Sequence, residues 1–137
     1  MLCLQPPEAM ASSIPLIVLL LCSVGVAHSD LRVYNLRATG LRPDQTSSAD
    51  GFVKVYCGSR FLGQTHVYNN HPNPSWPESF SYPRAKHNDN LRVRVYDKDV
   101  VFDDELGSCS TRIRRGNSNM HCSLRKGGTL FFSYSFS

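Results

Sequence analysis

Leu91-Arg92-Val93-Arg94-Val95-Tyr96 alternates apolar and polar residues without a break, and Asp97-Lys98-Asp99 follows it directly. A period of two places Leu91, Val93 and Val95 on one face of an extended strand and the arginines on the other. Val53-Lys54-Val55-Tyr56-Cys57 repeats the pattern. Shorter β-like runs lie at residues 31–34, 64–68, 79–82 and 129–134. Between them sits turn material: Arg42-Pro43-Asp44-Gln45, Gly58-Ser59-Arg60, the Asn- and Pro-rich stretch 69–74, Lys86-His87-Asn88-Asp89-Asn90 and Lys126-Gly127-Gly128. No stretch sustains helical periodicity over about ten residues. Together these features predict an all-β fold, an antiparallel β-sandwich of seven to eight short strands filling residues 30–137.

Composition agrees with a single folded unit. The chain has 137 residues, 41% hydrophobic and 10% aromatic, too apolar for a disordered tail and too short for a multidomain enzyme. Residues 1–29 read differently from the rest. Residues 14–27 (IPLIVLLLCSVGVA) form an apolar run of secretory length, short for a bilayer span, and Ala27-His28-Ser29 fits a small-x-small cleavage pattern before Asp30. The stretch ahead of it has no Lys or Arg and carries Glu8, an objection that translation from Met10 instead of Met1 removes. The expectation is a signal peptide over 1–29 and a secreted, extracellular domain over 30–137, with an uncleaved anchor as the alternative. Cleavage removes only Glu8 among the charged residues, so the net charge rises from +4 to +5.

Cys57, Cys109 and Cys122 remain after residue 30, an odd number that allows one internal bridge. Cys109 and Cys122 flank a polar, turn-rich segment, and closing that loop contributes about 3 kcal/mol in the chain-entropy model. Cys57 is in phase with Val53 and Val55 and reads as a small buried residue; an intermolecular bridge is the alternative.

The acids are concentrated. Asp97, Asp99, Asp103, Asp104 and Glu105 fall within one short segment, opposed locally by Lys98 alone. Asp97 continues the phase of Val93 and Val95, and Asp99 lies two residues on, so both can leave the strand end on one side. Carboxylates crowded this way raise one another's pKa or require a cation. Oxygen donors without a nearby Cys or His suit a hard cation, Ca²⁺ outside the cell; the alternative is a solvated acidic loop. Asp44 and Asp50, just before Val53–Cys57, supply a second acidic pair. The segment is not an EF-hand, since Phe102 stands where that loop needs glycine. Catalysis finds no support: His66, His71, His87 and His121 lack metal-site spacing, and no G-x-S-x-G nucleophile motif occurs. Nucleic-acid binding has no groove-reading motif.

Asp50-Gly51-Phe52-Val53-Lys54-Val55-Tyr56, then Asn73-Pro74-Ser75-Trp76-Pro77-Glu78, then Val95-Tyr96-Asp97-Lys98-Asp99 with Asp103-Asp104-Glu105-Leu106-Gly107 resemble the C2 domain family. Within that family the chain is most similar to the C-terminal C2 domain of perforin, through Asn35, the Asp44/Asp50 spacing, Tyr68-Asn69-Asn70, the Cys109/Cys122 pair and the ending Phe132-Ser133-Tyr134. The resemblance implies Ca²⁺ held by Asp44 and Asp50 from a first loop and by Asp97, Asp99 and Asp104 from a third. Asp103 is an extra or substitute ligand, and Lys98 offers its backbone carbonyl. It also implies phospholipid membranes as partner, perforin-like pore-forming proteins as associates, and an immune setting.

Val100-Val101-Phe102, an apolar tip between acids, is expected to enter the bilayer, each side chain contributing up to about 1.5–3 kcal/mol. The first loop has Arg42-Pro43 and Gln45 where perforin-like domains carry aromatics. Arg112, Arg114 and Arg115 are candidates for contact with anionic lipid or, as the blander reading, a solvated hairpin loop. The expected function is a secreted, peripheral, calcium-dependent phospholipid-binding module without a pore-forming domain. The rival is a secreted protein-interaction sandwich with a structural or vestigial calcium site. Neither reading is an enzyme.

Overall fold

A computed structural model describes residues 30–42 and 48–137. These residues form nine strands: β1 (Leu31–Thr39), β2 (Gly51–Cys57), β3 (Arg60–Gln64), β4 (Ser75–Trp76), β5 (Phe80–Tyr82), β6 (Asn90–Asp97), β7 (Asp104–Arg112), β8 (Gly116–Ser123) and β9 (Thr129–Phe136). They build two antiparallel sheets. One has the order β4-β1-β9-β8 with β5 also on β1, and the other the order β3-β2-β6-β7. The two alternating runs that announced the fold are neighbours, with Val53 opposite Val95 and Val55 opposite Val93. The expected signal peptide over 1–29 lies outside the described residues, as does Asp44.

The inward faces close over one core. Leu31, Val33 and Leu36 of β1 meet Leu130, Phe132 and Phe136 of β9 from one sheet and Val53, Val55, Leu91, Val93 and Val95 from the other. The alternation of β1 slips once, at Asn35, which adopts a φ of 59°. There Asn35 and Leu36 together face Phe132, a bulge that returns Leu36 to the interior. Asparagine tolerates this left-handed conformation better than a branched residue would.

Two expectations change. The segment around Arg112–Arg115 is not a hairpin loop: β7 and β8 are long strands of different sheets, and residues 113–115 cross from one sheet to the other. The Cys109–Cys122 disulfide ties these two edge strands across the sandwich, with Cα atoms 5.7 Å apart. The run at 64–68 is only partly a strand, because β3 ends at Gln64 and Tyr68 is held by an isolated bridge to Gly51.

Strand directions sort the connections into two ends. Residues 40–42, 48–50, 65–74, 98–103 and 124–128 cluster at one end. Residues 58–59, 83–89 and 113–115 cluster at the other, where Leu31 pairs with Phe136 and the Ser137 amide donates to the Asp30 carbonyl at 3.2 Å.

Candidate functional site

The acidic end is assembled by backbone ties between loops distant in sequence. Gly51 and Asp97 are cross-strand partners, so Asp50 and Asp97 leave adjacent strands at the same level. The Asp50 amide donates to Asp97 Oδ1 at 2.8 Å, and the Lys98 amide donates to the Asp50 carbonyl at 2.9 Å. Asp50 Oδ1 in turn accepts the Asn70 amide at 2.6 Å, which brings the 65–74 segment to the same place. Beneath them, buried Trp76 donates its indole N–H to the Gly51 carbonyl at 3.2 Å. Asn73 accepts the Gly40 amide at 2.8 Å, and the Pro72 and Pro74 carbonyls accept the Leu41 and Ala38 amides. The Asn-Pro-x-Trp motif is therefore the scaffold that fixes both ends of the 40–50 loop.

Asp99 and Asp103 fold the third loop on itself. Asp99 Oδ1 accepts the Val100 amide at 2.6 Å, and Asp103 Oδ1 accepts the Asp99 amide at 3.2 Å. Lys98 lies 3.7 Å from Asp103. Asp104 is paired at 2.6 Å with Lys126, a partner that no local sequence pattern points to. What carries Lys126 in is a second bulge, where Leu106 is the extra residue of β7 against β6. The 124–128 turn packs onto that bulge, with the Lys126 amide donating to the Leu106 carbonyl and Arg125 to the Glu105 carbonyl. A Cβ on Gly107 would stand 2.8 Å from the Arg125 backbone nitrogen, so the close approach requires glycine.

Burial holds the Asp97 carboxyl above the usual aspartate range, and the charges of Asp50, Asp104 and Asp99 add to that, against the hydrogen bond from the Asp50 amide. Four carboxylates thus share one electrostatic neighbourhood. Asp50, Asp97 and Asp99 each use a single oxygen in the contacts above and keep the other without a hydrogen-bond partner among the described residues. An all-oxygen, mutually repelling donor set of this kind fits a hard cation. Among the described residues no three His, Cys, Asp or Glu side chains converge closely enough to hold a metal ion. The carboxylates are instead occupied by backbone amides and the two lysines.

Between these acids the loop tip is bare: Val100 is 98% exposed, Val101 74% and Phe102 81%. Arg112, Arg114 and Arg115 are exposed at the opposite end of the sandwich, so one flat surface cannot touch both groups. Cys57 is buried and outside the disulfide, its thiol pushed up to about 11 by burial and by the nearby Asp89 carboxylate.

A family model for the C2 domain matches residues 29–126. The chain belongs to the C2 domain family. A solved structure of a C2 domain is 48% identical to this C2 domain, with a TM-score of 0.78 over 80% of this chain and 99% of the other. A C2 domain of plant extended synaptotagmin 1, 24% identical, shares the fold with a TM-score of 0.69 over 80% of this chain and 94% of its own. Perforin-1 of Mus musculus is 35% identical over 113 residues, 80% of this chain and 20% of Perforin-1. The C2 domain therefore spans about a fifth of that relative's length.

Proposed function

We propose that this C2 domain is a secreted module that binds phospholipid membranes in a calcium-dependent way, without catalysis. One observation carries the reading: three exposed apolar side chains stand at a loop tip bracketed by carboxylates. Apolar groups that far from the core gain free energy only by leaving water elsewhere, and the acids around them repel an anionic surface until neutralised. Asp44, Asp50, Asp97, Asp99 and Asp104, with Asp103 as a further donor, would hold Ca²⁺. The bound ion supplies positive charge to the rim and an oxygen-seeking centre for lipid phosphate.

The residues divide the remaining work. Trp76 and Asn73 fix the loop bases, so ordering them costs little on binding. Val100, Val101 and Phe102 enter the acyl boundary. Kinship with Perforin-1 makes a perforin-like pore-forming protein the natural associate, the module either helping to target such an assembly or competing with it for membrane. A protein-interaction sandwich with a vestigial site is the second reading, favoured by the lysines on Asp103 and Asp104. Sedimentation with phosphatidylserine-containing vesicles separates the two. At physiological salt, where the exposed arginines are screened, the wild type should pellet in millimolar calcium and stay in solution with chelator, and Asp97→Asn should stay in solution in both. Pelleting that ignores chelator would defeat the proposal.

A further inference from the structure

A set of cationic side chains stands at the end of the sandwich remote from the acids. Arg60, Arg84, Lys86, Arg112, Arg114 and Arg115 are all exposed there, against Asp30 and Asp89 among the acidic side chains of the described residues. Asp89 is committed to the fold, its carboxylate accepting the Lys86 amide at 2.8 Å. The turns that carry these cations are laced together by the Gly58 amide on the Asn90 carbonyl and by paired bonds between Asn88, Asp89 and Ile113. Arg112 adds a bond to the Asn88 carbonyl at 3.2 Å. The result is a rigid cap whose charges are spread over the whole end of both sheets rather than along a groove. The side chains of Arg60, Arg84 and Arg114 have no hydrogen bond or ion pair within the described residues. Their cost of exposure is low, and their forks are open to phosphate oxygens.

From this we infer that the cap binds an anionic phospholipid bilayer, a second one, apposed to the membrane that the acidic rim engages. β7 runs nine residues from rim to cap, about 26 Å between its ends at roughly 3.3 Å per step. That exceeds the Debye length of about 8 Å severalfold, so the two ends act independently. A flat lipid surface meets all the cap's charges at once, whereas a linear polyanion follows a stripe. The bridging role rests on the calcium-dependent reading proposed above; cap binding itself needs no calcium.

The test compares wild type with Arg60→Gln/Arg84→Gln/Arg114→Gln on phosphatidylcholine vesicles containing phosphatidylserine. In millimolar calcium both should pellet with the vesicles, but only the wild type should cluster them by light scattering, beyond a protein-free control. In chelator at low salt the wild type should partition weakly. The variant should fall about a hundredfold, from roughly fivefold per cation near an anionic surface. An Arg→Lys triple variant should cluster as the wild type does. Clustering that survives the Gln variant, or a wild type that pellets without clustering, overturns the inference. So does a calcium-induced dimer in sedimentation velocity that the Gln variant lacks. Lost heparin retention with intact clustering overturns it in favour of a polysaccharide. A wild type that fails to pellet in calcium defeats the rim reading alone, since the chelator arm still reads the cap.

Discussion

Replacing Phe102 with serine tests the rim where its energy is most concentrated. Phe102 is 81% exposed in the free domain. Full burial of such a side chain is worth about 1.5–3 kcal/mol. Scaling by the fraction left to bury gives about 1.2–2.4 kcal/mol, or roughly a 7- to 50-fold loss of vesicle affinity at about 1.4 kcal/mol per tenfold. Val100 and Val101 remain and should keep binding measurable. The assay is equilibrium sedimentation across a lipid titration in saturating calcium. Isothermal calorimetry of calcium without lipid and thermal melts serve as controls. Because the side chain touches water and not the core, both controls should be unchanged, the stability within about 0.5 kcal/mol. Equal lipid affinity for the two proteins would show that the tip stays out of the bilayer. A lowered melting temperature would show that Phe102 packs somewhere in the free protein.

Other perturbations separate the acids from their counter-ions. Asp97→Asn should abolish calcium binding in calorimetry and yet raise the melting temperature of the calcium-free domain at neutral pH. The sign follows from its raised pKa: the folded state holds that proton more tightly, so the stability contributed by Asp97 is lost as pH climbs through the range above ordinary aspartate. Glu105 is opposite in sense. Its hydrogen bond from Arg94 holds it below the usual range, and its contribution vanishes as pH falls through that lower window. Lys126→Gln should tighten calcium up to about fivefold, since an ammonium 2.6 Å from Asp104 competes for the same oxygen and an exposed pair is worth at most about 1 kcal/mol; an unchanged calorimetric titration would remove Asp104 from the ligand set. Cys109→Ser/Cys122→Ser should cost about 3 kcal/mol in chemical denaturation. Cys57 should react with a disulfide reagent only after unfolding, its thiol being buried and pushed to about 11.

The strands legible in the sequence were those whose two faces differ. β6 and β2 put valines inward and arginine or lysine outward, and no other local structure accommodates that period. β8 escaped because Gly116-Asn117-Ser118-Asn119-Met120-His121-Cys122-Ser123 turns Ser118, Met120 and Cys122 partly inward at a sheet edge, leaving little apolar contrast to detect. The aspartates on β6 and its loop were readable from spacing alone. Their surroundings were not. Asn70 on Asp50 and Lys126 on Asp104 span 20 and 22 residues, and depend on a bridge and a bulge that no short window encodes. The basic run at 112–115 was visible as composition, while its distance from the acids is a property of strand direction.

The described residues begin at the cap, where β1 starts beside the finish of β9. A fluorescent protein or affinity handle fused after Ser137 would therefore stand clear of the acidic loops and, on the proposed function, leave lipid capture by the rim intact. The same fusion would shield the arginine turns, silencing vesicle clustering while leaving capture intact. Where the label is placed decides which of the two proposed activities an experiment can see.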